Sequence, residues 1–245
     1  MSQRPPLQSR YPIRLHELTA GAHRLDVFAP ADPDSLLDDP TVEARYQKDN
    51  YLPYWPVIWP SSLMLAEHIL NSQDSPPTWP MKSAAPPRAI ELGCGLGIAG
   101  IAAAKRGWHV TFTDYDPEAV DFAAFNANCN HIPADLVQAR HMDWRDPIHE
   151  RFDWIIASDV LYERRLHSIL LHAIDQLLAP QGVVWISDPQ RNSAADFPPY
   201  AVEKGFRVAN SVLQWTGPSG VNSDADLLVL RRMSKSAATP KVVIQ

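Results

Sequence analysis

Apolar positions along the chain change period several times, and each change marks an element. Alternation predicts two short strands, Tyr11–Leu18 and His23–Phe28, around Thr19-Ala20-Gly21, which together read as a hairpin. Asp32–Asn50 is polar and reads as surface cover. Leu63, Leu65, Ala66, Ile69 and Leu70 fall at helical spacing within Ser61–Asn71, with Ser61 or Ser62 as candidate caps. From Arg88 the texture becomes a regular alternation of strands and helices. Buried or half-buried strands are predicted at Arg88–Leu92, His109–Thr113, Leu136–His141, Phe152–Ala157 and Gly182–Ser187. Helices are predicted at Ile98–Arg106, at Glu118–Asn128 behind Pro117, at Arg164–Leu178, and in a short piece closed by Ala201–Lys204. Two last strands, Phe206–Gln214 and Asp226–Arg231, flank Gly217-Pro-Ser-Gly220 with no helix between them, so they pair antiparallel at one edge.

This order predicts an α/β fold: a doubly wound, mostly parallel seven-stranded sheet with an antiparallel C-terminal edge hairpin and an N-terminal extension. Proline sharpens the division. Fourteen of the 23 prolines precede residue 88, where long helices are disfavoured because proline removes a donor and clashes in helix interiors. The expected organisation is an extension over residues 1–74, a proline-rich loop over 75–87, a core over 88–233 and a mobile tail over 234–245.

Composition narrows the class. The chain has 245 residues, 45% of them apolar and 20% charged, enough to bury a full core without disulfides or metal staples. Its two cysteines, Cys94 and Cys129, make neither a disulfide framework nor a four-ligand zinc site. The nine histidines show no metal spacing, so no metal site is predicted; His141, His149, His167 and His172 read as surface or helix-face residues. No apolar run reaches membrane-spanning length, and the N-terminus lacks the apolar core of a signal peptide. A cytoplasmic, monomeric protein is expected. The net charge of −6 argues against a broad nucleic-acid footprint.

The sharpest motif is Glu91-Leu-Gly93-Cys-Gly95-Leu-Gly97-Ile-Ala-Gly100, which follows a strand and opens a helix. Glycines here let the backbone turn sharply and let a ligand approach closely, while the helix start offers unpaired N–H groups. Asp114 ends the next strand, where a carboxylate can accept hydrogen bonds from both hydroxyls of an adenosine ribose. Asp116, just before Pro117, reads as a helix cap. Gly95-x-Gly97-x-x-Gly100 satisfies a dinucleotide fingerprint, whereas Glu91-x-Gly93-x-Gly95-x-Gly97 resembles the first motif of class I S-adenosylmethionine-dependent methyltransferases. The antiparallel C-terminal hairpin and the roughly 90 residues before the loop favour the second reading.

Further segments narrow that resemblance. Tyr54-Trp55-Pro-Val-Ile-Trp59-Pro60, Met142-Asp143-Trp144, Ser158-Asp159-Val-Leu-Tyr162 and Asp188-Pro189-Gln190-Arg191 are similar to elements of the group holding the seven-stranded protein lysine methyltransferases and relatives of nicotinamide N-methyltransferase. The resemblance implies S-adenosylmethionine as cofactor. It implies that Gly93, Cys94, Gly95 and Gly97 form the loop along its methionine and ribose side, with Glu91 either orienting that loop or reaching the amino-acid moiety through water. It implies that Asp114 holds the ribose, Trp144 packs on the adenine with Asp143 at the ring edge, Ser158 offers a backbone carbonyl, and Trp59 covers the cofactor. It makes Asp159 and Tyr162 the catalytic candidates, the first to hold an incoming ammonium and the second to line an aromatic channel. The expected acceptor is a protein lysine; a small-molecule amine is the alternative. An NAD-dependent oxidoreductase and a binding module without catalysis are the rivals from other classes. Phe197-Pro-Pro-Tyr200 is similar to an adenine-methyltransferase signature, but it stands far from the fourth strand where that signature belongs.

Overall fold

The computed structural model describes residues 12–71, 87–217 and 222–233. The expected tail, most of the proline-rich loop and the turn after Gly217 lie outside the described residues.

The N-terminal part holds β1 (Ile13–Ala20), β2 (His23–Pro30), α1 (Pro40–Asp49) and α2 (Pro60–Asn71). Alternating elements follow: β3 (Arg88–Leu92), α3 (Ile98–Lys105), β4 (His109–Asp114), α4 (Pro117–Cys129), β5 (Val137–His141) and β6 (Phe152–Ser158). The chain then runs through α5 (His167–Leu177), β7 (Leu178–Asp188), α6 (Phe197–Glu203), β8 (Phe206–Thr216) and β9 (Asn222–Arg232). The seven-stranded sheet has the order β5-β4-β3-β6-β7-β9-β8, parallel except where β9 pairs antiparallel with both β7 and β8. That is the doubly wound sheet with an edge hairpin that the alternation predicts. The central strands β3 and β6 are buried on both faces, as parallel strands covered by helices must be, and so read as apolar runs. Trp154 on β6 is fully buried and packs edge-on against Trp108 and Trp185, with ring centroids 5.2 and 5.0 Å away. Burying one such side chain contributes about 1.5–3 kcal/mol.

The strand order reverses between β3 and β6. One half of the chain winds outward through β4 and β5, the other through β7, so the carboxyl ends of β3 and β6 leave a crevice between diverging loops.

The N-terminal elements are docked on the core. β1 and β2 pair antiparallel, with Gly21 in the left-handed region (φ +60°) at the two-residue turn. Asn126 on α4 and Asn130, the residue that caps the end of α4, then treat β2 as a sheet neighbour would. The Asn126 side chain accepts from the Phe28 N–H (2.8 Å) and donates to the Phe28 and Leu96 carbonyls (3.1 and 3.0 Å). Asn130 does the same at Asp26, accepting at 3.1 Å and donating at 2.7 Å.

Asp32–Asn50 is surface cover, as expected, and is built as a 3-10 turn and α1, capped by the Asp39 side chain on Thr41 N–H at 2.8 Å. Only Val42 of α1 is buried, so there was little apolar pattern from which to read the helix. Three local expectations need correction. Neither Ser61 nor Ser62 precedes α2, because Pro60 takes the first helical position with its preset φ. The span Arg164–Leu178 is a 3-10 turn followed by α5, and Leu178 already pairs with Phe152 as the start of β7. His167 is buried, its ring against Phe197 and its Nε2 3.2 Å from the Leu161 carbonyl, because α5 begins at that residue and turns it inward.

Asn126→Ala would leave the Phe28 N–H and two carbonyls without partners at a fully buried position. It is expected to cost about 2–4 kcal/mol in urea unfolding, as a buried amide leaving several groups unpaired should. A loss under about 0.5 kcal/mol would show that α4 does not hold the hairpin.

Candidate active site

The crevice at the carboxyl ends of β3, β4 and β6 is a cavity of about 370 Å³, within the range of small-molecule sites. Its floor is the loop from β3 into α3. Gly95 sits at φ +50°, and a Cβ there would lie 3.2 Å from the Trp55 carbonyl, so a side chain would push away the N-terminal segment crossing above it. Gly100 has still less room: a Cβ would meet Phe112 at 2.4 Å and the Glu91 carboxylate at 2.5 Å. The loop is a cradle whose two sides are both occupied by other parts of the chain.

Glu91 stands behind that cradle, 1% exposed, where its Oε2 accepts the Gly100 N–H at 3.0 Å. Burial pushes its carboxyl up to about 8, against the pull of the backbone N–H groups. Asp114 faces the cavity from the end of β4. Its oxygens accept the N–H groups of Gly95 and Asp116, each at 2.9 Å, and burial raises it to about 6. Asp116 caps α4 through the Glu118 N–H (2.9 Å) and is also gripped by Arg45 at 3.0 Å and the Tyr51 hydroxyl. The Arg45 guanidinium lies 3.7 Å from the centre of the Tyr51 ring. These contacts fasten the end of α1 beside the cavity, so that residues 49–59 run across its mouth.

Most of the predicted site residues converge here. Trp59, Gly93, Cys94, Gly95 and Asp114 line the cavity, as do Asp143, Trp144, Ser158, Asp159 and Tyr162. Glu91 and Gly97 do not. Glu91 lies beneath the loop, and Gly97 faces Ala123 and Phe112, where a Cβ would be 2.8 Å from the Ala123 Cβ. Both shape the loop from behind. Cys94 contributes its backbone, donating its N–H to the Thr113 carbonyl at 2.9 Å, and burial pushes its thiol well up.

Asp159 differs from the sequence expectation. It is 7% exposed and left-handed (φ +58°), a conformation that a non-glycine residue keeps only where its surroundings enforce it. Its Oδ2 accepts the Ser61 hydroxyl, and its Oδ1 accepts Arg191 through Nε (3.1 Å) and Nη2. The carboxylate is therefore occupied, not a free acceptor for an ammonium. Tyr162 is more open, with Tyr54 edge-on at 5.5 Å; Tyr54 in turn meets Trp59 at 6.4 Å, forming an aromatic mouth. Burial raises the Tyr162 phenol above its ordinary range, so it stays protonated. Asp143 is held by Arg145 Nε at 2.9 and 2.8 Å, which keeps its carboxyl below the usual range.

Sequence reading missed Ser61, Tyr51, Tyr54, Arg145 and Arg165 as site residues. Tyr54 and Arg191 stand in segments singled out by resemblance, but only the fold shows what they touch. Arg165 donates to the carbonyls of Asp49 and Asn50 (3.0 and 3.5 Å) across 115 or more residues of sequence. Among the described residues no group of three or more His, Cys, Asp or Glu could hold a metal ion.

Known proteins resemble this chain in sequence and in fold. A family model described as lysine methyltransferase matches residues 46–197. Protein N-lysine methyltransferase METTL21A of Xenopus tropicalis is 31% identical over 144 residues, covering 55% of this chain and 60% of that protein. Calmodulin-lysine N-methyltransferase of Arabidopsis thaliana is 31% identical over 166 residues, covering 64% of this chain and 51% of that protein. The matched part thus spans less than two thirds of these relatives. Among solved structures, a ribosomal protein L11 methylase from Lactobacillus delbrueckii subsp. bulgaricus shares the fold, with a TM-score of 0.53 and 22% identity over 71% of this chain and 79% of that one.

The buried Glu91 makes a test of the cradle. In the folded protein it holds a proton up to about pH 8, whereas the unfolded chain releases it near 4.5. Folding stability should therefore fall as pH rises from about 4.5 to about 8. Glu91→Gln should flatten that slope in urea unfolding at pH 5.5 and 8.5, leaving the smaller part due to Asp114 and other raised carboxyls, while changing little at the lower pH. An unaltered slope would mean that Glu91 is not the group responsible.

Proposed function

The chain belongs to the lysine methyltransferase family, a family of S-adenosylmethionine-dependent enzymes, and we propose that it methylates the side-chain amine of a lysine in a protein substrate. The observation that carries this reading is the pairing, in one cavity, of a polar ribose-binding end at Asp114 with an aromatic mouth at Tyr54, Trp59 and Tyr162.

The residues present fit the cofactor. Asp114 has backbone donors on each oxygen and room for further donors from a ribose. Gly93, Cys94 and Gly95 let a ligand lie against bare backbone. Trp144 and Asp143 would flank the adenine, Ser158 would meet the amino-acid or adenine polar groups at the end of β6, and Trp59 would cover the whole. Glu91 and Gly97 act from behind, holding the loop and α3 in place. The bound cofactor supplies an activated methyl carbon on a sulfonium.

The chain's own work is positioning and electrostatics. The Tyr54, Trp59 and Tyr162 rings would guide an incoming ammonium by cation–π attraction of about 0.5–2 kcal/mol. That ammonium, with a reference pKa of about 10.4, must lose its proton before its lone pair can attack. Asp159 would stand at this acceptor end, anchoring Ser61 of α2 to the strand ends. Of the described helices none is long and apolar enough to cross a membrane. We place the reaction in the cytoplasm, with no nucleic-acid or membrane partner and with a monomer as the working unit.

Parallel calorimetric titrations with S-adenosylmethionine, S-adenosylhomocysteine and NAD test the cofactor; micromolar binding of the first two alone is expected, and binding of NAD alone would overturn the reading. Labelled-methyl transfer into a cell lysate then separates protein from small-molecule acceptors. Asp114→Asn should weaken S-adenosylhomocysteine binding about tenfold or more, because it loses a charge-assisted acceptor. With Asp114 raised to about 6, affinity in the unmodified protein should decline as pH falls through that value, and the variant should lack the decline. Asp159→Asn should lower turnover about a hundredfold while S-adenosylhomocysteine affinity stays within about threefold. Turnover near the unmodified level would remove Asp159 from the reaction.

A further inference from the structure

Five carboxylates line the cavity: Asp49, Asp114, Asp143, Asp159 and Glu163. Four of them are matched by an arginine. Asp143 and Asp49 share Arg145, at 2.6 and 3.8 Å; Glu163 pairs with Arg165; Asp159 pairs with Arg191. Among the described residues only Asp114 has no side-chain cation, and it is the one placed to meet ribose hydroxyls.

The pair at Asp159 is the most elaborately built. Arg191 does not line the cavity. It reaches Asp159 from behind, and its Cζ lies 5.4 Å from the centre of the Trp59 ring. It is delivered by the turn Asp188-Pro189-Gln190-Arg191. There the Asp188 Oδ1 accepts the Arg191 N–H at 2.7 Å, and Gln190 sits at φ +60°. The other Asp188 oxygen is buried and has no partner among the described residues. Burial and the neighbouring Asp159 push the Asp188 carboxyl upward.

Resting on the methyltransferase reading above, we infer that Arg191 is a positioning residue that neutralises Asp159 from outside the cavity, so that the acceptor nitrogen meets no net negative charge where it reacts. The chemistry calls for this. The nitrogen lone pair forms the new N–C bond while the C–S bond breaks and its electron pair stays on sulfur, leaving a thioether. A protonated nitrogen has no lone pair to give, and a bare buried carboxylate beside it would hold that proton in place. Aromatic rings can attract the cation at the mouth; an ion pair with no net charge inside then leaves it free to release the proton to water.

The test needs no acceptor. Sinefungin carries an amine-bearing carbon where S-adenosylmethionine has its methylsulfonium, whereas S-adenosylhomocysteine is a neutral thioether at that point. The ratio of their dissociation constants reads the charge at the acceptor end. Arg191→Gln should shift that ratio toward sinefungin by about tenfold, the order expected for uncovering one charge in a half-buried site. Arg191→Lys keeps the charge and should leave the ratio within about twofold. Adding Asp159→Asn to Arg191→Gln should abolish the shift. S-adenosylhomocysteine binding by each variant shows that it is folded. An unchanged ratio in Arg191→Gln, or a ratio moving the other way, would overturn the inference, as would an Arg191→Lys ratio that moves with Arg191→Gln. If the unmodified protein binds neither ligand, the cofactor reading is what fails.

Discussion

The tightest constraint in this molecule is the space around the loop that joins β3 to α3. The loop is pressed from above by the Trp55 carbonyl and from below by Phe112, Ala123 and the Glu91 carboxylate. Glycine at positions 95, 97 and 100 is what lets three layers meet there. Because the loop lies flat, α3 can start immediately against β4, its first N–H groups can reach a buried glutamate, and the crevice at the strand ends stays open. A single methyl group at Gly100 would collide with the ring and the carboxylate that hold the layers together.

The N-terminal residues are as much a part of the site as the sheet is. Three independent fastenings bring them there: the asparagine pair of α4 on β2, Arg45 and Tyr51 on the cap residue Asp116, and Ser61 on Asp159. Each joins a polar side chain to a buried or half-buried partner, where directional bonds set position more sharply than apolar contact does. Residues 49–59 are thereby stretched across the cavity, and Trp55 and Trp59 are placed on it.

The sheet was legible in the sequence because parallel strands buried on both faces need unbroken apolar runs, and helices between them need their own period. Asp116 was legible as a cap because its partner is two residues away. What escaped reading was held by partners far along the chain. Arg191 looks like any exposed arginine until the sheet brings β7 beside β6. Ser61 looks like a cap until its hydroxyl is seen on a carboxylate 98 residues later. α1 has too few apolar positions to announce itself, and His167 is buried only because α5 starts one turn later than its stripe suggests. Glu91 and Gly97 belong to the motif, yet the fold puts them behind the loop and not against the ligand space.

The asparagine clasp also sets a schedule. β2 receives its partners from α4, and the Phe28 to Asn126 bond spans 98 residues of chain. At about 5–20 residues per second, a ribosome needs roughly 5–20 s to deliver that stretch. During this wait the hairpin exposes Leu25, Val27 and Ala29, which are buried only in the finished molecule. An isolated two-stranded hairpin is marginal in water, so these residues cannot protect themselves. The hairpin is thus made well before the helix that holds it, and nascent chains halted before α4 would carry an uncovered apolar stripe.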